Sequence, residues 1–193
     1  MQLQPIKIKA DPTTREAYVQ NIMATAMRAT ADQYARGVNW YPTARDLALF
    51  IANGDLRMGS AVIAALSANN GWTMNQRLAA DACAGNVHGH TDDTLDKVRR
   101  ILAGVDPVDV LPMTKKTGNF FRNILDPTDP VSVTIDRHAH DLAVGVKYGS
   151  QNRLLSAPGR YNMLADCYRE AARRLGMLPS VLQAITWLVW IES

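Results

Sequence analysis

"RMGSAVIAALSANN", residues 57–70, decides the fold. From Met58 to Leu66 the stretch is apolar nearly all round, and a helix without a wet face has to be enclosed by other elements. This helix, read over 57–68, is therefore expected at the centre of the fold. It stops in Asn69-Asn70-Gly71, residues that suit a turn and a helix stop. On both sides of it the apolar spacing stays close to the helical period, and strand-like alternation of any length is missing. The chain is expected to be all-α.

Upstream, the spacing predicts a helix over 13–36, opening at Thr13-Thr14-Arg15-Glu16 and carrying Tyr18, Ile22, Met23 and Ala26 on one face. Pro42, tolerated in a first turn, starts the next helix, "PTARDLALFIANG", which Gly54 closes. Downstream, "TMNQRLAADACAG" runs from Thr73 to Gly85. "TDDTLDKVRRILAG" runs from Thr91 to Gly104 with acids first and bases later, as the helix dipole prefers. "KKTGNFFRNIL" and "TIDRHAHDLAVG" follow, then a Gly-, Ser- and Asn-rich loop over 146–159. Two more helices, "RYNMLADCYREAARRLG" and "LPSVLQAITWLVWIES", close the chain.

Composition narrows the function classes. A chain of 193 residues, 47% hydrophobic and 20% charged, suits one globular domain, or two small lobes, and excludes disorder. No apolar run approaches the roughly 20 residues needed to span a bilayer, so no membrane partner is expected. The opening "MQLQPIKIKADP" lacks an apolar signal core, and Cys83 and Cys167 form no CxxC pattern; both point to reduced thiols in the cytoplasm. A net charge of +3 permits a polyanionic partner without demanding one. His88-x-His90 and His138-x-His140 place each pair on opposite sides of a regular element, so neither a metal nor a cofactor is expected. Neither a G-x-S-x-G elbow nor a P-loop occurs.

One further stretch carries chemistry: "LPMTKKTGNFFRNILDPTDPVSVTIDRHAHDLAVG", residues 111–145. It sets Lys115 and Lys116 at the head of one helix and Asp136 at the head of the next, 20 residues beyond Lys116. Taken with "LSANNGWTMNQRLA", it resembles the helix-hairpin-helix DNA glycosylases of the endonuclease III type. In that family a buried helix ends in Leu-Ser-Ala and a polar residue, matched by Leu66, Ser67, Ala68 and Asn69, and an Asn matched by Asn75 opens the next helix. "LPMTKKTGNFF" is similar to the family's hairpin, with Lys116, Thr117, Gly118 and Asn119 on its Lys-Thr-Ala-Asn stretch. "VTIDRHAHDLAVG" is similar to its Val-Asp-Thr-His run, with Asp136 and His138 on the Asp and the His. The resemblance covers residues 45–145, and the overall pattern is also similar to small proteins carried by actinobacteriophages, which implies the cytoplasm of a bacterial host.

The resemblance implies a two-lobed all-α protein that acts on the N-glycosidic bond of a base, modified or not, in duplex DNA. Cleaving that bond builds positive charge on the sugar, so the Asp136 carboxylate would stabilise the transition state and help deprotonate the nucleophile. Lys116, as a neutral amine, would attack C1′ and add lyase activity. Asn69 matches a wedge that fills the stack a base has left, Asn70 lies beside it, and Trp72 would stack nearby. Lys115, Thr117, Arg122, Arg137 and His138 would meet the DNA backbone. Two departures stand out. "PMTKK" replaces the glycine-rich hairpin turn, and the chain has no four-cysteine cluster for an iron–sulfur centre. Each residue also has a plainer reading: Asp136 as a helix cap, Lys116 as a solvated helix start, Asn69 and Asn70 as a turn, Phe120 and Phe121 as core. The alternatives in function are an inactive nucleic-acid- or protein-binding module on the same scaffold and a base-exchanging transferase in DNA hypermodification. The oligomeric state is not legible.

Overall fold

In chain order the helices are α1 (Pro12–Ala26), α2 (Ala31–Ile51), α3 (Leu56–Ala65), α4 (Trp72–Cys83), α5 (Asp92–Leu102), α6 (Pro107–Val110), α7 (Lys116–Leu125), α8 (Arg137–Val144), α9 (Arg160–Leu175) and α10 (Pro179–Ile191). The computed structural model describes residues 10–193, and no strand occurs among them. The protein is all-α. Two compact units divide it: one comprises the described residues up to Trp40 together with Thr128–Ser193, the other Tyr41–Pro127. No single helix among the described residues is long and apolar enough to cross a membrane.

The N-terminal helices differ from the sequence reading. The break falls at Met27–Thr30 instead of before Pro42, and Pro42 lies inside α2. A capping box explains the position: Gln33 N donates to Thr30 Oγ1 at 3.2 Å, while Thr30 N donates to Gln33 Oε1 at 3.0 Å. That reciprocal pair sets where α2 begins, and the helix continues past Pro42, which has no N–H to offer. At the head of α1 the cap is Asp11, which accepts from Thr14 N at 2.9 Å, and Thr13 is already helical. The four-residue α6 has no counterpart in the sequence reading.

In the unit of residues 41–127, α3 is the hub. It packs against α4, α5, α6 and α7, and Ala61 to Leu66 are all buried, as a helix apolar all round requires.

The other unit is built on α1, which packs against α8, α9 and α10 around Ile22, Ile135, Leu142, Leu164, Tyr168 and Leu182. Gly37 of α2 lies so close to Ile185 of α10 that a Cβ there would run into that residue's backbone. The 146–159 segment, without a helix of its own, is held by a buried ion pair. Arg153 donates to both oxygens of Asp141, from Nε at 2.9 Å and from Nη2 at 2.5 Å, and also donates to the carbonyls of Gly149 and Gln151. Tyr148 N and His140 Nδ1 complete the carboxylate's partners, both at 3.0 Å. Burial pushes the Asp141 pKa up, but Arg153 and these donors outweigh it and hold it below the usual carboxylate value.

Asp141→Ala leaves the Arg153 guanidinium buried without its counter-charge. It is expected to lower stability by about 3–5 kcal/mol in urea denaturation, and Asp141→Leu combined with Arg153→Met to recover most of that loss.

Candidate functional site

The end of α3 is where three of the sequence-predicted residues, Asn69, Asn70 and Lys116, come together. A helix leaves its last carbonyls without intrahelical partners, and here they are met mainly by side chains. Asn75 Nδ2 donates to Ile63 O at 3.1 Å, Ser67 Oγ to Ala64 O at 2.8 Å and Asn70 Nδ2 to Leu66 O at 3.0 Å. Lys116 Nζ donates to Ser67 O at 3.0 Å and His90 Nε2 to Ala68 O at 2.9 Å. These donors come from α4, from the loop itself, from α7 and from the residues before α5, so the collar ties the end of the hub helix to three neighbours. Past it the chain turns at Asn69, whose φ of 59° is the left-handed conformation that Asn tolerates better than most residues. Asn69 is exposed at the tip. Beside it lies an open hollow of about 410 Å³ lined by Ala68, Asn69, Asn70, Gly89, His90 and Thr91.

Directionality fixes the state of His90. A carbonyl only accepts and an amide N–H only donates, so the Ala68 contact places a proton on Nε2. The 2.8 Å contact from Thr91 N leaves Nδ1 bare. With Nε2 donating and Nδ1 accepting, His90 bridges the α3 loop to the N-cap of α5, Thr91.

α6 leads through the turn 111–115 into α7. The turn packs tightly on the helix because Gly118 has no side chain: a Cβ at 118 would run into the Met113 backbone. Arg122 Nη1 donates to Met113 O at 2.9 Å, so this predicted phosphate ligand also pins the turn. Lys115 is the N-cap of α7 and offers no side-chain cap, while its carbonyl accepts from Asn119 Nδ2. Thr117 lies half-buried in the first turn. Trp72 packs edge-on against Phe120, ring centroids 6.5 Å apart, and Tyr41 does the same at 6.1 Å. Phe120 and Phe121 are core residues.

Asp136 belongs to the other unit. It is the N-cap of α8: Oδ1 accepts from His138 N at 2.9 Å and from Ala139 N at 2.8 Å. Arg137 Nε donates to His138 Nε2 at 3.1 Å, and among the described residues no ion pair joins Arg137 to Asp136. Burial lowers the pKa of His138, with Arg137 adding to the shift and Asp136 opposing it. Behind Asp136, His140 is wholly buried and burial also lowers its pKa. With its Nδ1 proton given to Asp141, its Nε2 has no hydrogen-bond partner.

The match of residues 4–193 to one family model decides the family. The chain belongs to DUF7178, a family of unknown function. No curated protein and no solved structure matches it. For this DUF7178 member the sequence reading had named Asn69, Asn70 and Lys116, and the structure brings these together within one unit. It had considered His90 only as half of a metal pair, so the residue's part in the collar went unseen. Three arginines of α9 pair with acids: Arg169 with Asp166, Arg173 with Glu170, and Arg174 with Glu16 and Glu170.

A charge-assisted hydrogen bond to a half-buried carbonyl contributes about 1.5–3 kcal/mol. Lys116→Met is therefore expected to lower the urea-denaturation stability by about that amount, while Lys115→Met should stay within about 0.5 kcal/mol of the parent.

Proposed function

We propose that this protein binds duplex DNA and is a DNA N-glycosylase, acting on the bond between a base and its sugar in the cytoplasm. The observation that carries the reading is the Lys116–Ser67 bond, which joins residues 49 apart in the chain. It brings into contact two of the three stretches, 66–70 and 111–119, on which the resemblance to helix-hairpin-helix glycosylases rests. An exposed, left-handed Asn69 on a braced loop suits a wedge, since a side chain that fills a vacated stack must not fold away under load. The first-turn N–H groups of α7, which no side chain caps, suit a phosphate.

In this reading the two catalytic candidates part ways. Asp136 keeps its role: one carboxylate oxygen holds α8 in place, and the group's charge faces the developing oxocarbenium ion and orients the attacking water. Lys116 is assigned a structural role instead. Its amine donates to a carbonyl at the C-terminal end of a helix, surroundings that suit an ammonium ion, whereas attack on C1′ needs the neutral amine. The reaction is then hydrolysis without lyase activity. The engagement of Asp136 as a cap also favours a second reading, a binding module that keeps the scaffold and has lost the chemistry. A base-exchanging transferase would use the same carboxylate.

Incubation with duplexes carrying a panel of damaged and modified bases separates these. Asn caps helices as well as Asp does, so Asp136→Asn should fold normally. Abasic sites are expected from the parent protein and should fall by about 10²–10⁴-fold in Asp136→Asn, with no borohydride-trapped adduct in either. A trapped adduct that disappears in Lys116→Ala would restore Lys116 as the nucleophile. Duplex binding without abasic sites across the panel would leave the binding module, and the absence of both would end the DNA reading.

A further inference from the structure

We infer that His90 is a positioning residue for Asn69. Asn69 adopts its left-handed conformation with neighbours fixed on both sides: Asn70 is held by its bond to Leu66 O, and Ala68 by His90. Of the collar donors, His90 acts on the peptide that leads directly into Asn69, since the Ala68 carbonyl belongs to the bond joining the two residues. Rotation of that peptide would swing the Asn69 side chain, and the 2.9 Å bond from Nε2–H opposes the rotation. The second ring nitrogen anchors the lever. Nδ1 accepts from Thr91 N at 2.8 Å, and Thr91 caps α5, whose Leu95, Val98 and Ile101 are buried in the same unit. The imidazole therefore transmits the position of a packed helix to an exposed tip. His90 also lines the hollow beside that tip.

The geometry of this inference stands on the hydrogen bonds alone, while its consequence for DNA rests on the proposed function. Three variants separate the ring's two contacts. His90→Ala removes both. His90→Asn keeps an acceptor for Thr91 N but is too short to reach Ala68 O. His90→Gln restores a donor of the right reach. The first measurement is the backbone ¹⁵N order parameter at Asn69 and Asn70. It is expected to fall from about 0.85 to below about 0.6 in His90→Ala and His90→Asn, and to return towards the parent value in His90→Gln. Unchanged order parameters in His90→Asn overturn the inference, and that variant decides the matter even if His90→Ala fails to fold.

The second measurement is affinity for a short duplex holding a tetrahydrofuran abasic analogue. His90→Asn and Asn69→Ala should each weaken binding by about tenfold, and the double variant by no more than either alone, because both act through one side chain. Additive losses would contradict a role through Asn69. If the parent protein does not bind the duplex, the DNA reading fails, and the order parameters still decide whether His90 sets the loop.

Discussion

The unit of residues 41–127 depends on how one helix ends. α3 is buried along most of its length, so its terminal carbonyls cannot all turn to water, and carbonyls left bare there would cost about 1–3 kcal/mol each. Asn75 and Ser67 meet the carbonyls of Ile63 and Ala64, and Asn70, Lys116 and His90 meet those of Leu66, Ser67 and Ala68 in the turn that follows. The same bonds that satisfy α3 fix where α4, α5 and α7 stand against it. A polar requirement of the core thus becomes a rigid loop at the surface, with Asn69 at its tip. The functional reading follows from that rigidity more than from charge, since the net charge is only +3.

Much of this was legible in the sequence. The apolar run of residues 57–68 showed a central helix, because periodicity reports burial directly. Gly54, Gly85 and Gly104 were read as stops, and all three have positive φ. The break between α1 and α2 was misplaced because Pro42 is a loud signal and the Thr30–Gln33 box a quiet one, spread over four residues. His90 was illegible for a deeper reason: its partner is the backbone of residue 68, and a backbone acceptor leaves no trace in residue identity. Asp136 could be placed at a helix start from sequence alone, but not the direction of Arg137 beside it.

The other unit solves a different problem with the same economy of means. The 146–159 segment has no helix, yet Arg153 is buried within it and takes both oxygens of Asp141. Asp141 lies on α8, the helix that Asp136 caps. The anchoring of that loop and the placement of the candidate catalytic acid are therefore two properties of one short helix, and a change to the buried pair would reach Asp136 through it.

Backbone ¹⁵N relaxation of the parent protein tests the collar most directly. Order parameters of about 0.85 across residues 66–71, level with those of α3 and α4, are expected of a loop whose carbonyls are individually held. Values below about 0.6 at Ala68 and Asn69 would mean that the donors do not hold the loop, and would contradict the rigid tip on which the functional reading rests.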